Sequence, residues 1–248
     1  MKWRCPHELG GKAWLEYVYA SPPARDPRGR SRPTQRASPY SPTLQRSVGI
    51  EGGNELTAYL LLELLHACGL VRRFKEQPFE LDRDRYSSAA IPDFIFEWYD
   101  GTPVVAEVKS STFYTADKER VAKELADLLG SYKLSYVVWT TREHLTQTVW
   151  HNVRQIYRRR QHVAENDELE RLETDLSKSS LTLGQLIDRG HDQDTILHAV
   201  CIGRAHFNLL EKRNVASKLY RVANAANYAT LIGARPDPNS WWNALPDR

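Results

Sequence analysis

Long apolar runs are missing from this 248-residue chain, and none approaches the length that a membrane-spanning helix needs. The first twenty residues, MKWRCPHELGGKAWLEYVYA, lack the continuous apolar centre of a signal peptide. The expectation is therefore a cytoplasmic protein without a membrane partner. Cysteine is scarce: Cys5, Cys68 and Cys201 are far apart, and three isolated thiols make neither a zinc pattern nor a disulfide framework. The remaining composition, 41% hydrophobic and 26% charged, is that of a globular chain able to bury a substantial core.

Charge is present but unevenly placed. The net charge is only +3, yet residues 1–46 hold nine Lys/Arg against three Asp/Glu, so the rest of the chain is net acidic. Within this stretch, SPPARDPRGRSRPTQRASPYSPTLQR is rich in Pro, Ser and Arg, a composition that favours an extended or flexible segment. Residues 1–46 are expected to form a basic arm in which Arg28, Arg30, Arg32 and Arg36 track phosphates if a polyanion lies nearby.

Apolar residues recur at helical spacing in GGNELTAYLLLELLHACG: Leu56, Tyr59, Leu60, Leu64 and Ala67, with Gly69 as terminator. VRRFKEQPFEL reads as a strand interrupted at Pro78. Asp100-Gly101 is a strong turn signal between two strand-like runs, Asp93 to Tyr99 and Pro103 to Ser110. ADKERVAKELADLLGSYK is an amphipathic helix and LSYVVWTT another strand. A hairpin, a helix and a returning strand predict an α/β mixed sheet flanked by helices. Residues 47–160 are assigned to this unit, 161–178 to a charged connector, and 179–248 to a small, mainly helical, winged-helix-like domain.

The second strand of the hairpin, PVVAEVKS, poses the central question, because a buried strand avoids charge unless the charge is paired or used. Alternation puts Val104, Ala106 and Val108 on one face and Val105, Glu107 and Lys109 on the other. Glu107 and Lys109 then lie roughly 7 Å apart along the backbone, and the hairpin folds Asp93 back toward them. Two adjacent carboxylates repel unless a cation joins them. A hard divalent ion such as Mg²⁺ suits such oxygen ligands, and the Val108 carbonyl is a further candidate ligand. That set, with Lys109 neutralising developing charge, is suited to phosphodiester hydrolysis. A lone exposed Glu–Lys pair would instead contribute only ~0–1 kcal/mol to stability.

Other candidates compete. Glu51, Glu55 and Glu63 each offer a carboxylate on or beside the preceding helix, and spacing alone does not choose among them. Glu97 shares parity with Asp93 but lies toward the turn, where Asp100 reads as a turn residue. Arg158, Arg159 and Arg160 suit either a phosphate grip or a solvated helix face, and Trp241-Trp242 suit either core packing or partner docking.

With PD at Pro92-Asp93 and EVK at Glu107-Val108-Lys109, the chain resembles the PD-(D/E)xK nucleases. The succession NELTAYLLLELL, FKEQPFEL, PDFIFEWYDGTPVVAEVK and HNVRQIYRRR resembles TnsA, the endonuclease subunit of heteromeric cut-and-paste transposases, over about residues 45–160. The resemblance implies a restriction-endonuclease-like fold followed by a winged-helix-like domain. It also implies Mg²⁺-dependent cleavage of double-stranded DNA at the 5′ ends of a transposon, with Mn²⁺ as a substitute metal. The implied partners are a TnsB-like transposase and a TnsC-like ATPase regulator. The implied active-site residues are Glu55, Asp93, Glu107 and Lys109, with Glu55 a possible additional metal ligand and Gln77 a possible accessory residue. Two other functions fit the same residues: a stand-alone restriction or repair nuclease, and a nonenzymatic DNA-binding adaptor of nuclease-like shape.

Overall fold

The Asp100-Gly101 turn does join two strands, and their hairpin forms the middle of the main sheet. In the computed structural model, residues 9–25, 36–81, 91–223 and 225–233 are described. They run in the order α1 (Lys12–Ala20), β1 (Arg36–Ala37), β2 (Tyr40–Ser41), β3 (Arg46–Ser47), β4 (Ile50–Glu51), α2 (Gly53–Ala67), β5 (Val71–Glu76), β6 (Phe94–Trp98) and β7 (Pro103–Lys109). There follow α3 (Ala116–Ser131), β8 (Ser135–Thr140), α4 (Gln147–Tyr157), α5 (Asn166–Lys178), β9 (Leu181–Thr182), α6 (Leu183–Asp188), α7 (Gln193–Cys201), β10 (His206–Phe207), β11 (Lys218–Tyr220) and α8 (Ala225–Ile232). No described helix is long and apolar enough to cross a membrane.

The main sheet has the order β5-β6-β7-β8. Its first two pairings are antiparallel and the last, β7 with β8, is parallel, so α3 serves as the crossover that parallel neighbours require. At the hairpin, the Asp100 side chain accepts from the Thr102 amide at 2.9 Å, and Gly101 takes a φ of 84° that a residue with a Cβ adopts poorly. Pro103 opens β7, a strand position that tolerates its missing N–H.

Alternation divides the sheet's side chains between two cores. Phe94, Phe96, Val104, Ala106 and Val108 join α2, α4 and the carboxy-terminal elements in the larger cluster. Ile95 and Val105 face the other way, into a smaller cluster with Trp14, Leu15 and Val18 of α1 and Leu125 and Leu129 of α3. Helices thus cover both faces. α2 is buried from Thr57 to Leu65, as expected of a helix that is apolar nearly all round.

The expected flexible arm is folded wherever it is described. α1 buries Trp14, Leu15 and Val18, and the buried Lys75 ammonium donates to the Val18 and Ser21 carbonyls at its carboxy-terminal end. Burial pushes the Lys75 pKa down to about 8. Farther on, Ser41 and Thr43 donate to Glu63, the latter at 2.7 Å, and Arg46 makes a two-pronged ion pair with buried Glu76. Basic and proline-rich composition is outweighed here by apolar burial and by specific acids on α2 and β5. Arg28, Arg30 and Arg32, like Trp241 and Trp242, lie outside the described residues; of Arg36 only the backbone, in β1, is described.

The segment assigned as a charged connector contains α5. α5 buries Leu169, Leu172 and Leu176, which join the larger core together with Leu181, Leu186, Leu197, Phe207 and Ile232. Hydrophobic packing is therefore continuous from the main sheet into the last third of the chain. There, α6 and α7 lie between β9 and β10, and the three strands form an antiparallel sheet of order β10-β11-β9. Leu172 is fully buried, so Leu172→Ala is expected to lower unfolding stability by roughly 2–5 kcal/mol. Urea titration measures it; a loss below about 0.5 kcal/mol, typical of surface positions, would contradict the packing.

Candidate active site at the end of the main sheet

Sheet register brings the acids together. Phe94 pairs with Ala106, so Asp93, one residue before, lies beside Glu107 at the end of the hairpin. The Asp93 carboxylate accepts the Val108 amide at 2.7 Å. In an extended strand a residue's N–H and C=O point to the same side, so the Val108 carbonyl also faces the Asp93 side. Lys109 donates to Glu107, and the two side chains are 36% and 16% exposed. The hydrogen-bonded ion pair, half open to solvent, distinguishes this end of β7 from its buried apolar run Val104–Ala106.

Glu55 approaches from the first turn of α2. Its carboxylate accepts the Glu51 amide at 2.9 Å, which satisfies a donor at the helix start. Gly52 allows the sharp entry with a φ of 95°. The Glu55 pKa is raised to about 7, by burial first and then by the charges of Glu51 and Glu107, against the opposing Glu51 amide and Arg25. Burial likewise pushes Asp93 well above the ordinary carboxylate range, reinforced by Glu107 and Glu55. Burial works against the Lys109 ammonium, but Glu107, Asp93 and Glu55 together outweigh it and raise its pKa. Lys109 therefore stays charged.

Arg25, the possible accessory residue Gln77, and Tyr136 surround this end of the sheet. Arg25 pairs with Glu51 at 3.1 Å. Gln77 holds Arg25 in place: its carbonyl accepts the Ala24 amide at 2.8 Å, and its amide group, turned to match donors with acceptors, bonds both the Arg25 carbonyl and guanidinium. Gln77 is buried, has a φ of 41°, and donates its own N–H to the Asp93 carbonyl at 2.8 Å. Tyr136 lies opposite Val105 across the parallel ladder, on the Glu107 face. Burial, Glu107, Tyr114 and Asp93 all raise its pKa, so it presents a neutral hydroxyl. Sequence grouped Arg25 with the arm, and no motif marked Tyr136, whose placement depends on the β7–β8 register.

The competing carboxylates are engaged elsewhere. Glu63 accepts from Ser41, Thr43 and Tyr59. Glu97 is paired with Arg73. Arg159 and Arg160, which suited either a phosphate grip or a solvated face, are half-buried and engaged: Arg159 pairs with Asp194 at 2.6 Å, and Arg160 donates to the Tyr40 carbonyl at 3.1 Å and the Tyr157 hydroxyl at 2.9 Å. Arg158 is exposed.

The fit of a divalent ion rests on charge and donor chemistry. Glu51, Glu55, Asp93 and Glu107 face the cations Arg25 and Lys109 as electrostatic neighbours, so four carboxyl groups meet two cations around a half-buried Asp93. Asp93 and Glu107 are hard oxygen donors of the type Mg²⁺ prefers. Among the described residues no group of three or more His, Cys, Asp or Glu is placed to hold a metal. A divalent ion here would therefore have at most the carboxylates of Asp93 and Glu107 as side-chain ligands, with Glu55 on the Glu51 amide.

Asp93 and Glu55 have raised folded-state pKa values, so the folded protein holds their protons more tightly than the unfolded chain. That contribution is full below the unfolded values and is lost as pH rises, for Glu55 between about 4.5 and 7. In metal-free buffer, Glu55→Gln is expected to be more stable than the parent at pH 8, by roughly 1–3 kcal/mol, and close to it at pH 4.5. Asp93→Asn should shift in the same direction. Urea midpoints across this range test the sign; equal pH dependence in parent and variants would contradict the site's electrostatics.

No protein-family model matches this chain, and no curated protein matches it.

Proposed function

We propose that this chain is a metal-dependent DNA endonuclease that hydrolyses phosphodiester bonds as the cleavage subunit of a heteromeric transposase of the TnsA type. The single observation that carries the reading is the convergence of Asp93, Glu107 and Lys109 at the end of β6 and β7, with Asp93 fixed by the Val108 amide and Lys109 on Glu107. A mixed sheet with helices on both faces is compatible with a restriction-endonuclease-like scaffold. The two short helices and small antiparallel sheet that follow suit a winged-helix-like unit for a TnsC-like ATPase partner. The TnsB-like transposase would cut and join the other strand.

Asp93 and Glu107 would hold Mg²⁺, which when bound lowers the pKa of water and polarises a phosphoryl oxygen. The chain's own groups act around that centre. Lys109 keeps its proton, orients the attacking water through its N–H bonds and offsets the negative charge that grows on the phosphorane oxygens. Glu55, with its pKa near neutrality, is suited to accept the proton that the water loses. The new bond joins the water oxygen to phosphorus, and the bond to the leaving ester oxygen breaks with its electron pair.

Cleavage of duplex DNA carrying a transposon end is expected with Mg²⁺ and the partner transposase. Asp93→Ala and Lys109→Ala should each reduce it by about 10²-fold or more, measured as nicked product on a sequencing gel. Normal cutting by both variants would contradict the site. Efficient cutting without a partner would favour a stand-alone nuclease, and calorimetry showing no Mg²⁺ or Mn²⁺ binding would favour an adaptor.

A further inference from the structure

From His144 to Ala164 the sequence contains no acidic residue. α4 occupies the centre of this stretch and buries Val149, Asn152, Val153 and Ile156. His151, Arg154 and Arg158 recur at the spacing that puts side chains on one helical face, and His151 and Arg158 are exposed. Arg154 lies over the Trp150 ring at 4.8 Å, which limits its freedom. The loop between β10 and β11 extends this face. Asn152 donates to the Leu209 and Glu211 carbonyls at 2.9 and 2.8 Å, and Arg213 donates to Gln155. Exposed Lys212 is thereby held beside the helix.

The positive charge of this strip is poorly offset. Glu211, hydrogen-bonded to Asn208 at 2.8 Å, offsets one of the four cations Arg154, Arg158, Lys212 and Arg213, and Asp194 is taken by Arg159. Arg213 is pushed down by burial and then by the Arg159 guanidinium, against Asp194, and its Nε is buried without a partner. Crowded guanidiniums of this kind call for an external anion. We propose that the outward face of α4, with Lys212 and Arg213, is a phosphate-tracking surface for the backbone of double-stranded DNA. The inference rests on the DNA reading and deepens it.

Two observations favour a nucleic-acid backbone over a lipid surface. Interfacial helices insert an apolar face, whereas the apolar face of α4 is already buried in the core. The strip also begins near the candidate site: Thr140 pairs with Lys109 in the ladder, and α4 starts at Gln147. Arginine forks match phosphate oxygens in a bidentate way, and contacts of this type bind without reading sequence.

The test is anisotropy of a fluorescein-labelled 30-base-pair duplex, titrated in EDTA at several KCl concentrations so that cleavage plays no part. Arg154→Ala/Arg158→Ala/Lys212→Ala is compared with the parent and with Arg72→Ala/Lys123→Ala/Lys178→Ala, which removes three exposed cations elsewhere. The strip variant is expected to bind about 10-fold to 100-fold more weakly near 100 mM salt, with the slope of log K against log salt smaller by about 2–3. The control variant should stay near the parent. Equal losses in both variants, or an unchanged slope in the strip variant, would overturn this surface alone and leave the endonuclease reading standing. No duplex binding by the parent would overturn this surface too, while the endonuclease reading is decided separately by the partner-supported cleavage assay. Strip-dependent binding to phosphatidylserine vesicles in place of duplex would overturn the choice of partner.

Discussion

A carboxylate buried beside other carboxylates is the constraint around which the rest of this molecule is arranged. Asp93 is held where desolvation and the charges of Glu107 and Glu55 all disfavour its ionised form. Each neighbouring contact relieves part of that strain: the Val108 amide takes one Asp93 oxygen, Lys109 takes Glu107, the Glu51 amide takes Glu55, and Arg25 takes Glu51. Relief is incomplete, because the acids outnumber the cations. A site organised for stability alone would place apolar residues here. The residual negative field is the physical reason for assigning a divalent ion to Asp93 and Glu107.

The scaffold keeps these groups from drifting apart. A one-residue slip between β6 and β7 would turn Glu107 and Lys109 to the opposite face, and that slip is blocked because Phe94, Phe96 and Val104 fill one core while Ile95 and Val105 fill the other. α1 closes the smaller core, and Lys75 fastens its end to β5. The Glu63 and Glu76 contacts fasten the β2–β3 hairpin to α2 and β5. Glu63, which looked like an alternative ligand, thus serves to hold the frame on which Asp93 and Glu107 sit.

Much of this was legible in the residues themselves. Period-two alternation in PVVAEVK assigned the faces of β7, and Asp100-Gly101 placed the turn, because both signals are local. Misses have identifiable causes. Trp14, Leu15 and Val18 carry a helical pattern, but the surrounding positive charge suggested a solvated arm. Leu169, Leu172 and Leu176 recur at i, i+3 and i+7, yet the dense acids between them suggested a connector; long charged side chains on one face do not prevent burial of the other. Arg159 and Arg160 find partners 35 and 120 residues away, and no local pattern encodes contacts of that range. The strands β2 and β3, two residues each, are too short to show a period.

The central claim is that Asp93 and Glu107 together bind a divalent cation, and anomalous scattering addresses it most directly. Crystals of the full chain grown with Mn²⁺ and diffracted near the manganese edge are predicted to show an anomalous peak within bonding distance of carboxylate oxygens from both residues. A well-ordered site without such a peak, or a manganese ion bound only elsewhere on the molecule, would contradict the account.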